Sequence, residues 1–132
     1  MRFRAIGSLS VALGMLLAPA PASTHHSFSA EYDITKPIKL QGLVTKVEWM
    51  NPHTFFFINV KDESGNVTNW ALEMGAPSAL QKQGWTRNTL QIGDDVTVEG
   101  SLARNGSKLA NANAVYKGGK KLGAASSSGQ SN

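Results

Sequence analysis

Three histidines are the residues of this sequence best suited to bind a metal ion. His25 and His26 are adjacent in the segment STHHSF, and His53 follows in NPHTFFF. An imidazole third from a free chain start can join the α-amine and two backbone amides around Cu(II) or Ni(II) in a square plane. His25 would hold that third position in a chain that begins at Ser23. The simpler interpretation is a pair of solvated histidines on a terminal arm.

A second arrangement would unite all three imidazoles. Three histidine ligands with an open fourth position are typical of zinc sites. No spacing in the sequence forces the three together, and a local hydrogen bond in a turn would also explain His53. Because every histidine of the chain falls in these two short segments, we predict a transition-metal site, copper ahead of zinc, at His25, His26 and His53.

Aromatic and polar residues near His53 form a second candidate site. Aromatic rings on the outward phase of neighbouring strands can stack on a sugar or another small organic ligand. Burial under the N-terminal segment or the helix is the simpler interpretation of these rings, since one phase of each strand must supply the core. The candidate ligand-binding residues are Asn51, Phe55, Phe57, Trp70 and Glu73.

Catalysis is not indicated by any sequence pattern. Four carboxylates are candidates to pair with His53 as a base with its orienting partner: Glu48 and Glu73 near strand ends, and Glu31 and Asp33 on the N-terminal arm. However, the chain has no nucleophile elbow, glycine-rich phosphate loop or HExxH motif. We therefore predict a non-enzymatic protein with no catalytic residues.

The first 22 residues have the pattern of a cleavable secretory signal peptide. Arg2 and Arg4 precede an apolar run over residues 5–18, and small residues follow as far as Ala22. This run of 14 residues is shorter than the ~20 that span a bilayer. We expect cleavage after Ala22, export to the periplasm, and no stable membrane insertion afterwards.

Charge and cysteine content narrow the range of partners. Loss of Arg2 and Arg4 with the signal peptide lowers the net charge from +4 to +2, which does not favour nucleic-acid binding. The chain has no cysteine, so neither a disulfide nor a lipid-anchoring cysteine is available. The expected partners are a metal ion, a small ligand or another envelope protein.

Alternating apolar residues predict five strands and one short helix after the signal peptide. Gly42, where the apolar phase changes, predicts a bulge or bend in the first strand. Pro77 and Gly84 suit the start and end of the helix. The predicted segments are an N-terminal arm at 23–36, a domain at 37–117 with strands at 37–50, 55–62, 67–74, 94–104 and 108–117 and a helix within 76–85, and a disordered tail at 118–132.

This element order predicts a mainly β fold. Three strands, a helix and two further strands are the order of the five-stranded oligonucleotide/oligosaccharide-binding (OB) Greek-key barrel, which has one short helix between strands three and four. An open α+β sandwich is the alternative.

Several motifs resemble those of a family of small exported bacterial proteins classed as a domain of unknown function. They include HHSFSAEYD after the signal peptide, W-x-N-P-H at residues 49–53, and W-x-L-E at residues 70–73. The resemblance covers roughly residues 25–117 and implies a periplasmic protein with an OB-like barrel and no assigned activity. It places these residues in the family's motifs: His25, His26, Asn51, His53, Trp70 and Glu73.

Together these features predict a periplasmic, non-enzymatic binding module. Transition-metal binding through the N-terminal histidine pair and the NPH loop is the first expectation. A binding module for a small molecule or saccharide, and an accessory subunit of an envelope complex, are the alternatives.

Overall fold

Long strands dominate residues 27–128, the part of the chain that the computed structural model describes. The mainly β class is confirmed, with six strands in one sheet in place of the predicted five. No helix within these residues is long and apolar enough to cross a membrane. The elements are α1 (Phe28–Glu31), β1 (Tyr32–Glu48), β2 (Phe55–Lys61), β3 (Val67–Glu73), α2 (Pro77–Lys82), β4 (Asp95–Ala103), β5 (Leu109–Lys117) and β6 (Lys120–Lys121).

The sheet has the strand order β3-β2-β1-β4-β5-β6, and β3 also pairs with β5. The neighbours in that order are antiparallel, whereas β3 and β5 run parallel. The parallel pairing joins Ala71–Glu73 to Leu109–Asn111 and sets Glu73 opposite Asn111. The C-terminal end of β3 is therefore held by a neighbouring strand on each side.

Strand β1 is shared between two partners, and Gly42 lies where they meet. The earlier part of β1 pairs with β4 and the later part with β2, and Leu43 pairs with both. A Cβ atom on Gly42 would collide with the carbonyl oxygen of Asn59, so this close backbone approach requires glycine. The register shift that the phase change predicts lies just beyond, between Val44 and Lys46.

The extended arm predicted for residues 23–36 is corrected in its described part. Residues Phe28–Glu31 form one helical turn, and β1 begins at Tyr32, which pairs with Ala103. The Arg104 amide extends this pairing by donating to the Glu31 carbonyl oxygen at 2.9 Å. The strand starts early because Tyr32, only 1% exposed, buries its ring in the domain. Residues 1–26, including the predicted signal peptide, lie outside the described residues.

The core forms from the inward phase of the strands and from the segment after β3. Helix α2 contributes Leu80, and Trp85 follows it just after Gly84, whose φ of +91° ends the helix as predicted. The buried core residues are Leu40, Val44, Phe56, Ile58, Trp70, Leu72, Met74, Leu80, Trp85, Leu90, Val96, Val98, Ala110, Ala112, Val115 and Ala125.

Residues 118–128 pack on the sheet, which differs from the disorder that their composition predicts. Strand β6 pairs with the end of β5. The Gly75 amide donates to the carbonyl oxygen of Ala125 at 2.9 Å, and Ala125 and Ser127 are 1% and 4% exposed. Small side chains permit this close approach, and hydrogen bonds together with the packing of Leu122 and Ala125 on the core hold the segment.

Candidate functional site

A hydrogen bond joins His53 to Glu73 at the end of β3. His53 Nδ1 lies 2.8 Å from Glu73 Oε1, and the side chains are 34% and 4% exposed, respectively. Glu73 pairs with Phe55, the first residue of β2. Since His53 precedes Phe55 by two residues, the register of β2 and β3 places the imidazole beside the carboxylate.

Thr54 fixes the backbone that carries His53. Its amide donates to the Gly75 carbonyl oxygen at 3.0 Å, and its own carbonyl oxygen accepts from the Met74 amide at 2.8 Å. These bonds continue the β2–β3 pairing past Glu73. The Thr54 Oγ1 is buried and has no hydrogen-bond partner within residues 27–128. Main-chain bonds thus hold Thr54, the residue after His53, against the two residues that follow Glu73.

Tyr32 supplies the second donor to Glu73. Its phenol donates to Glu73 Oε2, and its ring is 1% exposed. Burial raises the pKa of Tyr32 far above its usual range, and the hydrogen bond to Glu73 and the charge of Glu73 raise it further. The phenol therefore stays a donor at any pH near neutrality. Each oxygen of the buried carboxylate has one donor in this Tyr32–Glu73–His53 network.

Asn111, on the neighbouring strand β5, holds the main chain of Glu73. The Asn111 side chain is fully buried, and its amide nitrogen donates to the Glu73 carbonyl oxygen at 3.3 Å and to Ser127 Oγ at 2.6 Å. Its amide oxygen accepts from Ser126 Oγ at 2.8 Å. Asn111 therefore connects the C-terminal segment to the residue that orients His53.

The network leaves the second nitrogen of His53 available for chemistry. A carboxylate oxygen only accepts, so Nδ1 carries the hydrogen, and the neutral imidazole then has its lone pair on Nε2. A carboxylate behind an imidazole is the usual support of a metal-ligating histidine, and it also supports a general base. Within residues 27–128, no group of three or more His, Cys, Asp or Glu side chains is placed to hold a metal ion. The described residues thus contribute His53 alone from the predicted ligand set.

His25 and His26 lie outside the described residues, so their convergence with His53 stays a prediction. The described chain begins at Ser27, directly after His26. The ring of Phe28 packs on Tyr32 with centroids 5.3 Å apart. The N-terminal segment therefore joins the domain beside the Tyr32–Glu73–His53 network.

The predicted ligand-binding residues are distributed between surface and core. Asn51 is exposed in the turn before His53, and Phe55 and Phe57 are half-buried. Lys46 Nζ lies 5.3 Å from the centroid of the Phe57 ring. Trp70 is 8% exposed and belongs to the core, so it offers no open stacking surface alongside the two phenylalanines.

An open groove on the outer side of the sheet is a further candidate surface. It has a volume of about 410 Å³. Leu43 and Val67 are 51% and 56% exposed there, beside polar side chains. The lining residues are Gln41, Gly42, Leu43, Asn59, Lys61, Val67 and Asp95.

Sequence reasoning missed two residues that build the site. Tyr32 lies in the segment predicted as an N-terminal arm, where nothing indicates a contact with Glu73. Asn111 stands in the alanine-rich segment LANANAV, where strand alternation places it on the face opposite Ala110 and Ala112 and so predicts an exposed side chain.

One family model matches residues 14–112, and its description is "Family of unknown function (DUF6152)". This confirms the resemblance to a family of unknown function. No curated protein and no solved structure gives a significant match.

Proposed function

We propose a function from the site itself, starting from the fact that this chain belongs to the DUF6152 family, a family of unknown function. The protein is a periplasmic, non-enzymatic module that binds a transition-metal ion, copper ahead of zinc. His53 is the anchoring ligand, and His25 and His26 complete the site.

The hydrogen bond from His53 Nδ1 to the buried Glu73 carboxylate carries this proposal. Metal-bound histidines usually donate their other ring nitrogen to a carboxylate or carbonyl, which fixes the tautomer and orientation of the ring. Here the carboxylate is itself fixed by Tyr32. His53 is therefore oriented for binding before any ligand arrives, which lowers the entropic cost of binding.

The N-terminal histidine pair is attached to the same network by a short tether. Only residues 27–31 separate His26 from Tyr32, and Phe28 packs on the Tyr32 ring. A short tether gives the attached ligands a high effective concentration at His53. Imidazole ligands suit copper and zinc, and an exported protein would meet these ions in the periplasm.

We further propose that the sheet is a closed, OB-like five-stranded barrel. The parallel β3–β5 pairing, which joins the outer strands of the series β3-β2-β1-β4-β5, supports closure, as does the position of α2 between β3 and β4. Barrels of this type bind ligands on strands two and three and at the loop between strands one and two. His53 lies in that loop.

Isothermal titration of the exported protein with Cu(II) and Zn(II) tests the function. Intact mass first identifies the N-terminal residue, since His25 takes the third position only if Ser23 begins the chain. We expect His53→Ala to weaken binding and Glu73→Gln to weaken it by about 10–100-fold, as loss of outer-sphere partners does elsewhere. Glu63→Gln, at an exposed hairpin carboxylate, is the matched control. Unchanged affinity in both His25→Ala and His53→Ala would refute the proposal.

The outer groove supports a second candidate, a binding site for a small organic molecule or saccharide. Exposed Leu43 and Val67 beside amide side chains offer the mixed apolar and polar contacts that such ligands need. Tryptophan fluorescence and NMR titration with periplasmic metabolites and glycans would test it, with Leu43→Ser as the site variant. Co-purification from native membranes tests the remaining alternative, an accessory subunit of an envelope complex.

A further inference from the structure

Soft metal ligands are scarce in this chain. It has no cysteine and four methionines, at positions 1, 15, 50 and 74. Met74 is 1% exposed in the core, whereas Met50 is 48% exposed. Met1 and Met15 belong to the predicted signal peptide. Within residues 27–128, Met50 is therefore the one sulfur donor accessible from solvent.

Met50 lies on the same short loop as His53. The loop runs from the end of β1 at Glu48 to the start of β2 at Phe55. Its two ends are fixed, because Trp49 packs against the core and both the amide and the carbonyl oxygen of Thr54 are hydrogen-bonded. Only two residues separate Met50 from His53 between these fixed points.

Burial accounts for only part of the Met50 side chain. About half of this large apolar side chain is in water, so much of the stabilisation from burying it is absent. Its thioether has a second property, a preference for soft ions such as Cu(I). An imidazole and a thioether on one short loop offer a mixed ligand set for such an ion.

We propose that Met50 and His53 together bind a soft monovalent ion, so that this protein takes copper as Cu(I) and discriminates against Zn(II). This inference rests on the proposed role of His53 as a metal ligand and adds the oxidation state of the metal. Met50 is the residue that determines specificity.

Metal titrations of the exported protein test the assignment. Ag(I), a redox-inert stand-in for Cu(I), and Cu(I) under anaerobic conditions are measured in competition with a chromophoric chelator, and Zn(II) is measured in parallel. Met50→Leu keeps the size and apolarity of the side chain but removes the sulfur. We expect it to weaken Ag(I) and Cu(I) binding at least about tenfold while Zn(II) affinity changes less than about twofold.

Methyl NMR of protein labelled with [¹³C-methyl]methionine supplies a direct readout. The Met50 methyl resonance should shift with one equivalent of Ag(I), whereas the core residue Met74 is the internal control and should not shift. Wild-type Ag(I) affinity in Met50→Leu with an unshifted Met50 methyl would overturn this inference and leave copper binding at His53 intact. Undiminished binding of every ion in His53→Ala would instead overturn the metal function itself.

Discussion

Replacing Tyr32 with phenylalanine tests the network that orients His53. The substitution keeps the aromatic ring in the domain and removes only the hydroxyl group that donates to Glu73 Oε2. The Glu73 side chain is 4% exposed, so water cannot easily replace the lost donor. His53 would remain the partner of the other carboxylate oxygen.

The expected loss of stability follows from that burial. A hydrogen bond to a charged group contributes about 1.5–3 kcal/mol. A domain of up to about 100 residues loses roughly 4–8 °C of melting temperature per kcal/mol. We therefore expect Tyr32→Phe to melt roughly 6–24 °C below the wild type. Tyr116→Phe makes the same change at a half-buried tyrosine that has no hydroxyl hydrogen bond within residues 27–128, and it should stay within about 0.5 kcal/mol of the wild type.

The alkaline limb of the stability curve gives a second measurement. The pKa of Tyr32 is raised in the folded state, so its contribution to stability is complete below the unfolded value of about 10. Above that pH the unfolded chain releases the phenolic proton and the folded chain keeps it, so stability falls as pH rises. The slope is at most about 1.4 kcal/mol per pH unit, and Tyr32→Phe should remove it.

Thermal melts at neutral pH measure the first quantity, and urea denaturation between pH 8 and 11 measures the alkaline slope, in each case on the wild type, Tyr32→Phe and Tyr116→Phe. The ultraviolet absorbance of tyrosinate at 295 nm should rise equally in the wild type and Tyr32→Phe while both remain folded, because Tyr32 does not ionise. Identical melting temperatures and alkaline slopes for Tyr32→Phe and Tyr116→Phe would refute the buried Tyr32–Glu73 hydrogen bond.

Three further changes test other parts of the domain. Gly42→Ala should lower the free energy of unfolding by more than about 2 kcal/mol, because the new Cβ atom would collide with a backbone carbonyl of β2. A wild-type midpoint in denaturant melts would contradict the close approach of the two strands. Asn111→Ala should release residues 125–128, seen as faster amide exchange there than in β1, and unchanged exchange would contradict the contact. The pKa of Asp94 is lowered by its hydrogen bond to Lys117 and by a backbone amide. Asp94→Asn should therefore reduce the stability of the protein at neutral pH and make the loss of stability below about pH 4 less steep. An unchanged slope of stability against pH in acid would contradict this prediction.

The hairpin register shows how much of the site was predictable. The turn at Gly65 with short alternating strands on each side determines the pairing from Lys61–Val67 beside the turn to Phe55–Glu73 at the far end. The sequence therefore predicts that Glu73 lies near His53, but it does not predict a hydrogen bond between them. The hydrogen bond depends on the backbone of Thr54 continuing the ladder, which no local pattern indicates.

Contacts between distant segments were beyond prediction for a different reason. Tyr32 reaches Glu73 across 41 positions and Asn111 reaches the Glu73 carbonyl across 38, so neither contact leaves a periodic trace in the sequence. The C-terminal segment has a composition typical of disorder. It packs because Asn111 forms hydrogen bonds with Ser126 and Ser127. Composition alone cannot predict that these serines have such a partner.

The electrostatic environment of Glu73 links the fold to the proposed function. A buried carboxylate is destabilising unless its oxygens are hydrogen-bonded, and the fold provides one donor from β1 and one from the loop before β2. If the network served stability alone, replacing the buried hydroxyl and the buried carboxylate together by apolar groups would cost little, as replacement of whole buried ion pairs often does. What apolar residues could not do is orient the imidazole of His53. The double variant Tyr32→Phe/Glu73→Leu therefore separates the two roles, and we expect a folded protein that keeps most of its melting temperature and loses its metal affinity.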